Sequence, residues 1–123
     1  MDIHAFMAAV AAQDAQGMRR FLHPEAQIHW HNSNECFTAE EYIRANCEYP
    51  GSWLGQVERL EQAGDLSIAV THIWAPEGSP SFRSISFIRV QDDRIIALDE
   101  YWSEDGPPPA WRQAIGIGRA IRE

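Results

Sequence analysis

The chain has 123 residues, of which 45% are hydrophobic, and its 18 Asp and Glu against 10 Lys and Arg give a formal net charge of -8. This length and apolar content are typical of one globular domain, so residues 1–123 are predicted to form a single domain. The acidic balance repels phosphate backbones and disfavours nucleic acid as a partner. No apolar run approaches the roughly 18 residues of a membrane span, and no secretory signal opens the chain. We therefore expect a cytoplasmic protein without a membrane partner.

Cysteine and histidine spacing bears on metal and redox chemistry. Cys36 and Cys47 are predicted to be free thiols, because a disulfide framework in a small secreted domain uses more cysteines. His29 and His31 fall on the same face of a predicted strand, which raises a metal hypothesis. No carboxylate or cysteine nearby in sequence has the spacing to complete such a site. The sequence therefore predicts no metal site and no cofactor.

The first half of the chain predicts three helices and one strand. A first helix has apolar residues at helical spacing, a second is capped by Asp14, and AQIHWHN between Ala26 and Asn32 reads as a strand. Thr38 and Glu41 have the spacing of a capping box, so a third helix starts there and ends before Pro50-Gly51. The inner face of the first helix consists of Ile3, Phe6, Met7 and Val10. That of the second helix consists of Met18, Phe21 and Leu22.

The second half predicts a run of strands joined by short turns. We place them at about 52–62, 66–75, 81–90 and 95–102. Short turns between successive strands predict an antiparallel meander, and helices followed by strands are typical of the α+β class. The polar and proline-rich stretch after the last strand, residues 103–123, is predicted to be a C-terminal tail.

The last predicted strand carries two acids among apolar residues, on opposite faces. Glu100 shares a face with Leu98 and Trp102, whereas Asp99 shares the other face with Ile95 and Tyr101. Both faces are largely apolar, although a meander strand with one solvated face alternates more cleanly. We expect one face to pack on the helices and a second copy of the chain to cover the other, giving a homodimer.

A pairing register follows if Asp92-Asp93 is a two-residue hairpin turn. Gln91 then pairs with Arg94, which sets Ile85 opposite Glu100, Phe87 opposite Leu98 and Arg83 opposite Trp102. The preceding turn, Pro76 to Pro80, allows two registers. The favoured one adds Val70, His72 and Trp74 to the face of Glu100, and the other adds Ala69, Thr71 and Ile73 and leaves His72 outside.

The order of elements and three local motifs resemble the nuclear transport factor 2-like superfamily, in its SnoaL-like branch. The motifs are YPGSW at 49–53, SFIRVQDDRI at 86–95, and EYW at 100–102 with its PPPAWR tail. The resemblance implies a cone-like roll, in which a curved, mainly antiparallel sheet wraps around N-terminal helices and leaves a pocket open at one end. It also implies a dimer, and activities that include ketosteroid isomerases, polyketide cyclases, dehydratases and epoxide hydrolases, beside members that only bind ligands or proteins.

The family's epoxide hydrolases match this sequence only in part. Their acid before an aromatic pair corresponds to Glu100-Tyr101-Trp102, and of their first-strand Tyr-x-Asn only Asn32 is kept. Where they have an Arg and an Asp two residues apart, the nearest positions here are His72 and Trp74, so an epoxide hydrolase is disfavoured. The family's isomerases and cyclases use an Asp or His as a proton-transferring base, a role that Glu100 with His72 could fill.

The sequence leaves two main hypotheses for function, both with a small apolar or cyclic ligand. In the first, a cofactor-independent isomerase, cyclase or dehydratase uses Glu100 as base or acid, with His72 or Asn32 holding the oxyanion. In the second, Glu100 is structural, bonded to an indole or to Arg83, and the domain only binds ligands or proteins. The predicted ligand-contacting residues are Trp30, Asn32, Asn46, Trp53, Trp74, Arg83, Ile85, Phe87, Leu98 and Trp102.

Overall fold

A computed structural model of the chain describes residues 1–122 and has an α+β architecture. Three helices and two strands occupy the chain as far as Cys47, four strands then follow in succession, and a short helix comes after them. The elements are α1 (Ile3–Ala11), α2 (Ala15–Phe21), β1 (Leu22–Trp30), β2 (Glu35–Thr38), α3 (Ala39–Cys47), β3 (Leu54–Ala63), β4 (Leu66–Trp74), β5 (Ser81–Gln91), β6 (Arg94–Glu104) and α4 (Ala110–Ile115).

Side-chain caps define where the first three helices begin. Asp14 accepts a hydrogen bond from the Gly17 amide at 3.0 Å and caps α2, as predicted. Thr38 and Glu41 form the predicted capping box, because each side chain accepts a hydrogen bond from the other's backbone amide at 3.2 and 2.9 Å. Asp2 caps α1 in the same manner as Asp14.

The six strands form one curved, open, mixed sheet in the order β2-β1-β6-β5-β4-β3. The predicted antiparallel meander is confirmed for β3 to β6. β1 joins the other side of β6 in parallel, so the last strand of the chain lies in the interior of the sheet. β2, a short and largely exposed strand that the sequence did not predict, pairs with β1 at the edge.

Helices α1, α2 and α3 pack on the concave face of the sheet and form the core with it. The helices contribute Phe6, Met18 and Tyr42, and the strands contribute Ile28, Ile88 and Leu98, all of them fully buried. None of the helices in residues 1–122 combines the length and apolar content needed to cross a membrane.

A β-bulge in β6 overturns the predicted register of the last hairpin. Gln91 pairs with Arg94 as predicted, but Arg89 lies opposite Ala97, so Ile96 is an extra residue on β6. Beyond the bulge every pair is shifted by one residue, which reverses the faces of β5 relative to β6. Glu100 therefore lies opposite Ser86, Trp102 opposite Ser84 and Leu98 opposite Ile88, not opposite Ile85, Arg83 and Phe87.

The favoured register of the preceding hairpin is observed between β4 and β5, because Val70 pairs with Ile85 and His72 pairs with Arg83. The bulge in β6 separates this face from Glu100, so the prediction that His72 shares a face with Glu100 is wrong. Thr71 pairs with Ser84, and Ala69 pairs with Ser86, so the concave face carries Ala69, Thr71 and Ile73. His72 and Trp74 consequently lie on the convex face, where their rings stack with centroids 4.4 Å apart.

The convex face and the tail both expose apolar surface. Ile85 and Tyr101, which pair across β5 and β6, are 40% and 44% exposed. A second copy covering this face stays a prediction, because the structure contains one chain. β6 extends through Glu104, two residues beyond its predicted end, so the predicted tail begins inside the strand. Within the tail, Trp111 on α4 is 62% exposed.

Candidate active site

A cavity of about 160 Å³ lies between the helices and the concave face of the sheet. Its walls are almost entirely apolar, and aromatic rings from α3, the following loop and three strands surround it. The lining consists of Met7, Val10, Ala11, Gln13, Trp30, Tyr42, Ala45, Asn46, Tyr49, Trp53, Ile73, Phe82, Ser84, Glu100 and Trp102. Among these lining residues Glu100 is the one carboxylic acid, and none is a histidine, cysteine, lysine or arginine.

Glu100 is held by its two cross-strand neighbours. It is 5% exposed and lies between Trp30 on β1 and Ser86 on β5, each of which is its direct pairing partner. The Trp30 indole N–H donates to Oε1 at 3.0 Å, and the Ser86 hydroxyl donates to Oε2 at 2.5 Å. Each carboxylate oxygen thus has one bond from the protein and retains capacity for another acceptor interaction.

Burial raises the pKa of Glu100 above its ordinary value. Removal from water penalises the carboxylate, and the hydrogen bonds from Ser86 and Trp30 only partly offset this penalty because they favour the charged form. A carboxyl group with a raised pKa in an apolar cavity can act as a proton donor or acceptor nearer to neutral pH than an exposed one. The predicted environment of Glu100 is therefore present.

Three buried hydroxyls on the core side make no hydrogen bond of good geometry among residues 1–122. They belong to Tyr42, Ser84 and Thr71, and the first two line the cavity. Burial raises the pKa of Tyr42 well above its usual value, and the Glu100 carboxylate, which the phenol approaches at hydrogen-bonding range, raises it further, so the phenol stays protonated. Buried polar groups in proteins normally have a partner, so the hydroxyls of Tyr42 and Ser84 are available to bond a molecule that enters the cavity.

An aromatic cluster lines the more exposed end of the cavity. The Trp53 ring packs against Tyr49 and Phe82 with centroids 5.6 and 5.8 Å apart, and Phe82 lies 6.4 Å from Trp102. Tyr49 and Trp102 are 51% and 37% exposed. Entry of a ligand from this end would bring it past aromatic faces before it reaches Glu100.

Five predicted site residues do meet in the cavity. The side-chain amide of Asn46 donates to the backbone carbonyl of Tyr42 at 2.9 Å. The backbone carbonyl of Asn46 accepts a hydrogen bond from the Gln13 side chain at 3.0 Å. Trp53 donates to the Pro50 carbonyl at 3.2 Å, so its indole N–H is occupied. The predicted residues that line the cavity are Trp30, Asn46, Trp53, Glu100 and Trp102.

The bulge in β6 places other predicted site residues on the convex face. His72 bonds to the Ser81 hydroxyl at 2.8 Å, and Arg83 pairs with Glu58 at 2.7 Å and also with Asp105. The predicted alternative in which Arg83 neutralises Glu100 is therefore wrong. The predicted ligand-contacting residues that lie outside the cavity on this face are Trp74, Arg83, Ile85 and Phe87, and the predicted catalytic His72 lies with them.

Asn32 and Leu98 are the two remaining predicted site residues, and neither lines the cavity. Asn32 follows β1 and uses its side-chain oxygen to accept a hydrogen bond from the Trp102 amide at 2.9 Å. Leu98 is fully buried and packs in the core. An oxyanion role for Asn32 is unsupported because its side chain does not line the cavity.

Sequence reasoning missed the two hydroxyls that line the cavity. The side chain of Tyr42 reaches the cavity from the inner face of α3. Ser84 had been placed on the convex face by the register that the bulge overturns. The available signal was a pair of serines at alternate positions 84 and 86, flanked at the same spacing by the apolar Phe82 and Ile88.

Comparisons with known proteins agree with this architecture. A family model described as a SnoaL-like domain matches residues 3–98. A candidate ketosteroid isomerase from Kribbella flavida DSM 17836 has a similar structure, with 22% identity and a TM-score of 0.79 over 97% of this chain and 87% of that one. An NTF-2 like protein of unknown function from Burkholderia xenovorans LB400 shares 19% identity, with a TM-score of 0.75 over 94% and 90% of the two chains.

A candidate SnoaL-like polyketide cyclase from Jannaschia sp. CCS1 is also similar, with 18% identity and a TM-score of 0.64 over 79% of this chain and 78% of that one. No curated protein matches the sequence. At these identities the solved structures establish a shared fold, and any assignment of chemistry has to come from the cavity itself.

Proposed function

Because the chain belongs to the SnoaL-like domain family, we propose that it binds a small, largely apolar molecule in the cavity and exchanges a proton with it through Glu100. The observation that carries this proposal is a single buried carboxyl group in an otherwise apolar lining. Burying a carboxyl group in an apolar place costs free energy, and such groups are found preferentially at functional sites, where they take part in the chemistry.

The size of the cavity indicates the class of ligand. A volume of about 160 Å³ is close to the roughly 150 Å³ that accommodates one benzene ring in an engineered cavity. Aromatic faces from Trp30, Trp53 and Trp102 favour a flat or cyclic molecule. A single-ring compound with one carbonyl or hydroxyl group fits both the volume and the hydroxyls of Tyr42 and Ser84 that line the cavity.

The proposed chemistry is proton transfer next to a carbonyl group. The Glu100 carboxylate removes a proton from the carbon beside the carbonyl, and the electron pair moves onto the carbonyl oxygen as an enolate forms. The Tyr42 hydroxyl supplies the hydrogen bond that stabilises this oxygen. Return of the same proton from Glu100 to a different carbon isomerises the molecule, and its return to the same carbon gives exchange without net change.

A second candidate function, ligand binding without turnover, is favoured by a separate observation. Both oxygens of Glu100 already accept hydrogen bonds, from Trp30 and Ser86, which is the arrangement of a structural acid. In this alternative Glu100 accepts a hydrogen bond from a ligand hydroxyl and no bond is broken. Proton transfer is preferred because Glu100 borders the cavity together with the hydroxyls of Tyr42 and Ser84, and because burial raises the pKa of Glu100 despite these bonds.

The direct test is hydrogen exchange at carbon. The purified chain is incubated in deuterated water with a panel of cyclic ketones and enones, and deuterium at the carbon beside the carbonyl is followed by NMR. Tryptophan fluorescence reports binding of the same compounds, because three tryptophans line the cavity. We expect exchange above the buffer rate for at least one compound that binds.

The variants E100Q and E104Q separate chemistry from binding. Gln at position 100 keeps the shape and removes the base, so exchange is expected to fall by a factor of about 10² to 10⁴ while binding persists. Glu104 lies on the same strand and is exposed, so E104Q is the matched control and should keep the wild-type rate. Binding of the panel without exchange would reject the enzyme in favour of the second candidate.

A further inference from the structure

Two histidines and an aspartate meet on the convex face of the sheet, away from the cavity. The parallel pairing of β1 with β6 sets His29 directly beside Asp99, and His31 follows at the end of β1. Nδ1 of His29 lies 3.0 Å from Oδ1 of Asp99, and Nε2 of His31 lies 2.7 Å from the same oxygen. Asp99 is 70 residues from His29, so no carboxylate or cysteine nearby in sequence could reveal this third ligand.

We propose that His29, His31 and Asp99 bind a divalent transition metal ion such as Zn²⁺. One ligand atom from each residue lies within 4.8 Å of the others. Two imidazole nitrogens and a carboxylate oxygen form a ligand set that Zn²⁺ and its neighbours in the first transition row accept. The inference is independent of the proposed function, because these side chains point away from Glu100 and its cavity.

The spacing of the ligand atoms suits an ion after small side-chain rotations. Metal–ligand distances of about 2.0–2.2 Å place tetrahedral ligands roughly 3.3 Å apart. The nitrogen–oxygen distances of 3.0 and 2.7 Å are slightly shorter because the atoms are hydrogen-bonded to one another. Both histidines and Asp99 are 39% to 43% exposed, so a hydrated ion can reach them.

The surroundings of the cluster provide orientation and an open coordination position. The Tyr101 ring stacks on His31 at 4.4 Å with an interplanar angle of 7°, which restricts rotation of the imidazole. A cleft beside the histidines is lined by Asn34, Glu35 and Cys36 as well as by His29 and His31. Cys36 lies directly opposite His29, so its thiol is on the same face. Water is assigned to the fourth position, and the cleft has room for it.

Metal binding by the chelator-treated full chain tests this assignment. Isothermal titration with Zn²⁺ gives the stoichiometry and affinity, and the visible spectrum of the Co²⁺ form gives the coordination number. We expect one ion per chain and the intense visible bands of low-coordinate Co²⁺. A strong near-ultraviolet thiolate band would show that Cys36, and not water, occupies the fourth position. The three proposed ligands would then still stand, provided that removing them abolishes binding.

Two variants test the ligands and one double variant is the control. D99N preserves the shape of the carboxylate and removes its charge, and H29A/H31A removes both nitrogens; each is expected to weaken Zn²⁺ binding at least tenfold. H4A/H23A removes two histidines elsewhere on the surface and should bind like the wild type. Circular dichroism of the metal-free forms checks that D99N folds. Absence of saturable binding by the wild type, or equal affinity of the wild type and D99N, would overturn the assignment.

Discussion

Glu100 and Trp30 are direct partners on two parallel strands, and the Trp30 indole donates a hydrogen bond to the buried Glu100 carboxylate at 3.0 Å. Because β1 and β6 are adjacent, the indole and the carboxylate meet without any loop being involved. The neighbouring Asp99 points to the other face, where its partners are two histidines. The two consecutive acids therefore lie in different environments, with one in the cavity and the other on the convex surface.

Removing the hydroxyl of Ser86 should destabilise the protein, whereas removing that of Ser84 should not. Ser86 donates to the charged Glu100, and a hydrogen bond to a charged group contributes about 1.5–3 kcal/mol. Ser84 lies two residues away on the same face, and its buried hydroxyl has no partner in residues 1–122. Urea unfolding at neutral pH is expected to give a loss of that size for S86A and a change near zero for S84A. Equal losses would mean that the Ser86–Glu100 bond contributes nothing specific.

The stability of the wild type relative to E100Q should fall as pH rises. Burial raises the pKa of Glu100 in the folded state, so the folded chain holds this proton at a pH where the unfolded chain has released it. Folding is then favoured by protonation, and the contribution is complete below the unfolded value of about 4.3 and is lost as pH rises through the folded pKa. The other titrating groups are common to both proteins, so the difference between them isolates Glu100.

Unfolding free energies of both proteins between about pH 4 and pH 8 provide the measurement. The wild type should lose stability relative to E100Q over this range and then reach a constant difference. A difference that grows in favour of the wild type with rising pH would mean that the hydrogen bonds from Trp30 and Ser86 outweigh burial.

Local features of the fold could be predicted from the sequence because their causes are local. The capping box of Thr38 and Glu41 depends on residues three apart, and the confirmed meander depends on short turns between apolar runs. The position of Glu100 on the concave face also follows from strand alternation, since Glu100 and Leu98 share a phase. These predictions needed no knowledge of which strands are neighbours.

The remaining parts of the site depend on register and on distant pairing. The bulge at Ile96 adds one residue between two apolar positions, and alternation gives no signal where Ile95 and Ile96 are both apolar. That single residue removed Arg83, Ile85 and Phe87 from the predicted cavity wall. Parallel pairing of β1 with β6 joins residues about 70 positions apart, so neither the Trp30–Glu100 bond nor the His29–Asp99 contact had a local signal.

Gly55 fixes how closely α1 approaches the sheet, so G55A should destabilise the fold. A Cβ atom at Gly55 would lie 2.6 Å from the Cβ of Ala11, which is far inside a normal contact. Overpacking of this kind typically costs about 1–3 kcal/mol. Thermal unfolding should show that loss for G55A and none for G106A, because a Cβ at Gly106 meets no atom within 4 Å.

The double variant A11G/G55A separates a steric clash from other effects of the substitution. Removing the Ala11 methyl group relieves the contact, although a glycine inside a helix costs about 1 kcal/mol of its own. We expect the double variant to be more stable than the sum of the two single changes predicts. Additive losses would mean that Gly55 matters for a reason other than its distance from α1.

The exact end of β6 decides which C-terminal truncation the fold tolerates. A chain ending at Gly106 lacks α4 and the rest of the tail, whose described residues are all exposed, and it keeps Asp105. Asp105 accepts a hydrogen bond from the Ser81 hydroxyl at 2.6 Å, and its amide donates to the Ser81 carbonyl at 2.8 Å. A chain ending at Trp102, where the strand was predicted to stop, loses these bonds and the pairing of Glu104 with Phe82.

Thermal unfolding of the two truncated chains should therefore differ. We expect the chain that ends at Gly106 to keep the wild-type melting temperature within about 2 °C, and the chain that ends at Trp102 to melt lower by several degrees, since a loss of about 1 kcal/mol shifts a domain of this size by roughly 4 °C. Each lost main-chain hydrogen bond contributes about 0.5–1.5 kcal/mol, and Arg83 also loses its partner Asp105. A large drop on removing residues 107–123 alone would show that the tail stabilises the domain despite its exposure.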